Sequence, residues 1–315
     1  MAVSSLDYHQ FTSLDKTCRQ QFTQELLSSF EVTGFAKLQN HPFSEQEVED
    51  LLLWSHKFFD RPIELKGEIS SKPGPQPMRG YTPLRVEEVS KLYSDTKIRS
   101  MTDSKEYFDQ GPEHDTDFPN QWPEDPELSG FKPFMENFYR KCDEVCLQLI
   151  GALEIAWGIE DASLIARCIP SAAELRLTHY RETTVKEMQM GHTSRIAPHI
   201  DFAISDMIVN VGDTLTRWTN GRIAGGIYQV TIPEATKHDD NVITSRMSMA
   251  YPFKASRDIP VAPLPKFVTQ TKPAVYPDTS ALEFQRWRNS VIYNLDKKQY
   301  PSQPNNHKAI MEVEA

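Results

Sequence analysis

The chain has 315 residues, 39% hydrophobic and 25% charged, with a formal net charge of -10, which is enough for one large domain or two modest ones around a packed core. The acidic balance excludes a nucleic-acid surface, which needs clustered Lys and Arg, and equally disfavours an anionic membrane face. No apolar run of about 18 residues is long enough for a membrane span, no charged-then-apolar leader opens the chain, and Cys18, Cys142, Cys146 and Cys168 make no CxxC pair, so a cytoplasmic, reducing setting with thiols acting as small core groups is expected.

The elements follow in order. Cys18, Phe22, Leu26 and Phe30 recur at four-residue steps and predict a helix with one apolar stripe. Gly34 breaks it, and Phe35 to Leu38 alternates as a short strand. Ser44 and Glu47 have capping-box spacing for a helix that Pro62 ends. Residues 67–132 are rich in turn chemistry, including Lys72 to Pro77 and Phe108 to Gly111, and are expected to be ordered loop because aromatics punctuate them. Phe138, Cys142, Val145, Leu149 and Ala152 predict a long helix over about 131–158, with Gly158 at its end. Strands are then expected at Leu175–Tyr180, Met207–Val211, Gly226–Ile232 and Arg246–Tyr251, a helix at Ala281–Tyr293, and a polar tail from Asp296. Helices first and strands afterwards give an α+β chain, with a helical front and a sheet or barrel behind.

His199-Ile200-Asp201 carries the main chemical signal. In a strand, residues two apart point to one face, so an imidazole and a carboxylate would converge on one spot. That matches two corners of the two-histidine, one-carboxylate triad of non-haem iron(II) oxygenases. By itself the tripeptide is weak evidence. Arg246 and Ser248, taken alone, read as a strand-end ion pair and a turn hydroxyl. His179 alternates away from Thr178 and Tyr180 and reads as a packed or surface residue, while His192 and His238 read as loop residues. Trp218 reads as packing.

Taken with Asn210 to Arg222, Gly34-Phe35, Phe58 to Pro62 and Tyr107 to Asp109, these residues make the chain resemble isopenicillin N synthase-like iron(II)/2-oxoglutarate dioxygenases, notably fungal ones that tailor secondary metabolites. The resemblance covers nearly the whole chain. It implies a helical N-terminal region with substrate-side loops (1–130), a long helix and a double-stranded β-helix, or jelly-roll, domain (131–295), and a polar tail (296–315). It implies iron(II) on His199 and Asp201, and 2-oxoglutarate with its far carboxylate on Arg246, assisted by Ser248 and Tyr180. A guanidinium fork suits that carboxylate. Tyr81, Phe108 and Trp122 are candidate pocket aromatics, or structural ones.

The sequence also departs from the family pattern. Alignment on Asn220-Gly221-Arg222 places Tyr228 where relatives carry the distal histidine, and a neutral phenol is a poor iron(II) ligand. Only a short strand fits between Asp201 and Asn210, where relatives place several, so a barrel lacking some strands is expected. Thr178 stands where many relatives carry asparagine. The implied function is oxidative tailoring of a small metabolite. The alternative is a catalytically impaired relative that binds a small molecule or pairs with an active homologue.

Overall fold

The computed structural model describes residues 3–72, 74–84, 86, 105–159, 162–186, 206–225, 227–231, 242–293, 295 and 310–314, with the backbone alone for 227–231 and 310–314. The chain opens with β1 (Ser5–Asp7), a short α1 (Tyr8–Thr12) and α2 (Lys16–Val32). Asp15 caps α2 by accepting the Thr17 backbone N–H at 2.7 Å. Phe22, Leu26 and Phe30 of the predicted stripe are buried, but Cys18 at the first turn is only half-buried. Gly34, at φ 82°, turns the chain into β2 (Phe35–Gln39).

The expected capping box starts α3 (Glu45–Phe59). Ser44 Oγ accepts the Glu47 N–H at 3.2 Å, and Glu47 Oε2 accepts the Ser44 N–H at 2.8 Å. After α4 (Ile63–Gly67) come β3 (Gly80–Thr82) and β4 (Lys105–Gln110). β4 corrects the expectation of loop for this stretch, because tertiary pairing on both edges overrides the turn-forming residues that follow it. Gly80 is required at its site: a Cβ there would lie 2.2 Å from the Ile69 carbonyl oxygen.

The long helix, α5 (Phe131–Trp157), ends on Gly158 in the left-handed conformation, φ 63°, as its sequence predicts. α6 (Ser163–Ala166), β5 (Leu175–Tyr180), β6 (Thr183–Thr184), β7 (Met207–Asn210) and α7 (Asp213–Trp218) follow. The last elements are β8 (Ile227–Thr231), β9 (Val242–Ile243), β10 (Arg246–Ala250), α8 (Ala281–Ile292) and β11 (Ile310–Glu314). β11 lies within the stretch expected as a polar tail and pairs in parallel with β8.

The protein is thus α+β. One sheet runs β10-β5-β4-β3, antiparallel throughout, and another runs β1-β2-β7. Each sheet joins strands from before and after residue 130, so the helical front and the strand-rich part share their sheets. Among the described residues no helix is long and apolar enough to cross a membrane.

The main core lies between α3, α5 and one face of the four-stranded sheet. Phe58 stacks on Phe131 at 5.3 Å with planes 6° apart, and meets Phe108 edge-on at 5.0 Å and Tyr81 at 6.2 Å. Phe58 is fully buried. Phe58→Ala should therefore cost about 3–5 kcal/mol. In urea unfolding this would appear as a lower midpoint with an unchanged slope.

Candidate functional site

Strand alternation gives the four-stranded sheet two unlike faces. Tyr81, Phe108, Leu177 and Met249 lie across β3, β4, β5 and β10 on the core face. The other face carries Thr82, Tyr107, Thr178 and Ser248 in one row. In the adjacent row Lys105, Tyr180 and Arg246 are register neighbours. The structure therefore brings three sequence-predicted residues, Tyr180, Arg246 and Ser248, together on one polar surface.

Their geometry suits an anion. The Arg246 guanidinium lies over the Tyr180 ring, 5.0 Å from its centroid, which fixes the direction of a long side chain. Tyr180 is fully buried. Ser248 is 9% exposed, and its hydroxyl has no hydrogen-bond partner among the described residues. The neighbouring Thr178 hydroxyl is also buried and without one. A buried hydroxyl left this way signals a missing partner, such as a bound polar ligand or water.

The back of this surface is held by a buried charge cluster. Glu106 Oε2 accepts from Lys66 Nζ at 3.0 Å and from the Tyr81 hydroxyl at 2.5 Å. Its Oε1 lies 2.9 Å from His179 Nδ1, which must carry a proton to donate to the carboxylate. Burial opposes ionisation of Glu106, but the bonds from His179, Tyr81 and Lys66 outweigh it and hold its pKa at about 2. Burial and the same carboxylate push the Tyr81 phenol upward. His179 thus points away from the polar face, as its alternation predicts, and is packed.

Of the two roles expected for Tyr81, Phe108 and Trp122, the structure gives the structural one: Tyr81 and Phe108 face the core, and Trp122 packs on Phe108 at 5.5 Å and Phe131 at 6.0 Å. The alternation of β3 and β4 turns both away from the polar surface. Tyr107, one residue from Phe108, joins Tyr180 as an aromatic on that surface. Tyr107 and Asp109 were read only as part of a stretch resembling the family, without roles of their own, and Lys105 was not singled out. Their signal was the period-two run of polar and charged side chains along β4, visible only once that stretch is read as a strand.

Asn210 to Arg222 is scaffold. Arg217 is buried and donates to the Val261 carbonyl at 3.0 Å and the Pro277 carbonyl at 2.8 Å. Trp218 donates to the Pro260 carbonyl at 3.1 Å, in keeping with a packing role. Asn220, at φ 53°, donates to the Pro273 carbonyl at 3.0 Å and accepts the Val275 N–H at 3.1 Å.

His199 and Asp201 lie outside the described residues, as do His192 and His238. Tyr228 falls in β8, in register with Met311 of β11. Among the described residues no group of three His, Cys, Asp or Glu side chains could hold a metal. The four cysteines are free; Cys142 and Cys168 are buried, and burial raises both thiols, Cys168 to about 12.

Comparison with known proteins places this geometry in context. Residues 3–125 match the family described as non-haem dioxygenase in morphine synthesis, N-terminal. The 2-oxoglutarate-dependent dioxygenase ecdK of Aspergillus rugulosus is 34% identical, over 93% of this chain and 100% of its own length. The proline hydroxylase buaE of Petromyces alliaceus is 32% identical, over 88% of this chain and 94% of its own. A full-length Neurospora crassa protein, crystallised in complex with alpha-KG, shares the fold with a TM-score of 0.76 at 24% identity, covering 91% of this chain and 95% of that one.

The Glu106 cluster has a pH signature. A carboxyl held below its ordinary 4.5 contributes stability that is complete above that value and disappears as the pH falls towards about 2. Melting temperatures should fall across this window, and Glu106→Gln should both lower the neutral-pH melting temperature and flatten the fall. An equally steep acid decline in the variant would assign it to other carboxylates.

Proposed function

The chain belongs to the iron(II)/2-oxoglutarate-dependent dioxygenases, and from that premise we propose that Arg246, Ser248 and Tyr180 form its co-substrate anchor. The protein is an oxidoreductase of this family, with iron(II) and 2-oxoglutarate as its cofactors by membership. The observation that carries the anchor is the shared polar face. A buried serine hydroxyl without a partner among the described residues sits two residues from an arginine whose guanidinium is braced on a tyrosine ring. These groups fit the far carboxylate of a dicarboxylic acid. Arg246 would supply a planar, always-charged fork and Ser248 a hydroxyl donor, while Tyr180 would keep the fork from swinging away. A fixed anchor orients the keto-acid end and excludes water from the charged contact, where low dielectric strengthens it.

For the metal we propose His199 and Asp201 as ligands, with Tyr228 at the position of the distal histidine. Iron(II) and 2-oxoglutarate together supply the oxidising chemistry from dioxygen. The substrate is a small molecule, and relatives named as 2-oxoglutarate-dependent dioxygenases and as a proline hydroxylase support a small polar metabolite. The comparisons lend no support to a catalytically impaired chain that pairs with an active homologue.

We also infer that the strands form a jelly roll with fewer strands than its relatives have. The short span from Asp201 to Asn210 supports this. So does the alignment with ecdK, whose 332 positions exceed the 315 residues of this chain. On this reading 1–130 is the helical, substrate-side region and 131–295 the catalytic one.

The anchor is tested by adding 2-oxoglutarate to iron(II)-loaded protein under nitrogen and following the visible charge-transfer absorption. Wild type should saturate. Arg246→Gln should need roughly 30-fold more 2-oxoglutarate, as expected for loss of a charged pair worth about 2 kcal/mol or more. Unchanged saturation in the variant would remove Arg246 from the anchor.

A further inference from the structure

The end of α3, the helix α4 and the 123–128 segment border an open-mouthed cavity of about 240 Å³. Lys66, one of its wall residues, bonds Glu106, whose side chain shares the Phe108 face of β4. The cavity is therefore on the core side of the four-stranded sheet, the opposite side from Arg246, Ser248 and Tyr180. Its volume falls below the roughly 300–1,000 Å³ of a drug-sized ligand site, so an occupant is small.

The floor is apolar. Phe58 and Leu128, both buried, meet Leu65 there, with Pro123 and Pro126 beside them. The charges at the rim are unequally answered. Both cations are taken: Lys66 Nζ donates to Glu106 Oε2 at 3.0 Å and to the Phe59 carbonyl at 2.7 Å, and Arg61 holds Asp125 at 2.7 Å and Glu127 at 2.6 Å. The acids are not. Glu68 and Glu124 line the cavity, and neither carboxylate meets a cation or a hydrogen-bond donor among the described residues. The Asp125 side chain is 10% exposed, and its Oδ1 accepts the Glu127 N–H at 2.9 Å. Its buried Oδ2 lies 2.7 Å from Arg61 Nε yet accepts no hydrogen bond, since the N–H is not directed at it. That pair is held by charge without alignment, and Oδ2 keeps a lone pair for another donor.

An anion would find three carboxylates here and no free cation. A wholly apolar molecule would suit the floor but cover Asp125 Oδ2 without giving it a donor. A cation with N–H donors and a short apolar body satisfies both. We propose that this cavity is an accessory binding site for a small alkylammonium ion. Its body rests on Phe58, Leu65 and Leu128, and its ammonium group donates to Asp125 Oδ2 between Glu68 and Glu124, as charge-assisted bonds favour. The site shares no residue with the co-substrate anchor and stands independently of it. An occupant acts on the sheet indirectly, through Lys66 and the Glu106 cluster.

The experiment is an NMR titration of the full-length, methyl-labelled chain at neutral pH with isopentylamine. Isopentyl alcohol and isovalerate, neutral and anionic molecules of similar shape, are the comparison probes. Isopentylamine should move the Leu65 and Leu128 methyl resonances to saturation, with the alcohol about tenfold weaker and isovalerate not bound. Glu68→Gln/Glu124→Gln changes two exposed positions and should weaken the amine about fivefold or more. Glu45→Gln/Glu49→Gln removes two exposed acids elsewhere on α3 and should leave binding unchanged, which separates the cavity from general attraction to an acidic chain. A response that never saturates, an alcohol that binds as well as the amine, an unchanged Glu68/Glu124 variant, or equal weakening in the two double variants would each overturn the site.

Discussion

A carboxylate buried in a protein stays ionised only when donors surround it, and Glu106 meets that condition from three elements at once. Lys66 comes from α4, Tyr81 from β3 and His179 from β5, all onto one side chain of β4. The cluster locks three strands in register at the row beside Tyr107 and Thr178. Because alternation is strict, a slip of one residue would turn the charged side chains of β4 and β5 into the aromatic core. The acid at Glu106 is thus what allows a polar surface to be built on the reverse of an apolar one.

A second set of charges does similar work at the other end of the sheet. Arg79 pairs with Asp115 at 3.0 Å and Glu174 at 3.1 Å, and Lys254 and Arg257 complete the group. Glu174 is held at about 2 despite its burial, by the charges of Lys254 and Arg79. Such buried pairs contribute little net stability over an apolar core, yet removing one partner is expensive. They fix which segments meet, and here they join the approaches to β3 and β5 with the segments that leave β4 and β10.

Much of this was legible in the sequence where one periodicity dominated. The stripe from Phe22 to Phe30, the Ser44–Glu47 box and the run from Phe138 to Ala152 with Gly158 behind it are local signals, and each became the element it predicts. β4 was not legible, since a six-residue strand bordered by Gly111 and Pro112 looks like turn until its two neighbours are known. The same gap left open whether Tyr81 and Phe108 line a pocket or pack, which the alternation of β3 and β4 decides in favour of packing. Arg246 and Ser248 were readable only through the family resemblance, since taken alone they read as a strand-end ion pair and a turn hydroxyl. Asn210 to Arg222 was readable as part of the same resemblance, and the structure adds what it does: Arg217, Trp218 and Asn220 bond backbone carbonyls of distant loops.

The pairing of β11 with β8 has a consequence for the order in which the molecule can be completed. A parallel pair needs a long connection, and this one joins segments separated by β10 and α8. While the chain is being made, β8 leaves the ribosome long before its neighbour exists. Until then its backbone presents unpaired donors and acceptors of the kind that recruit a strand from another molecule. The interval between the two segments is therefore a window of exposure for that edge of β8, set by the speed of synthesis and closed when residues 310–314 arrive.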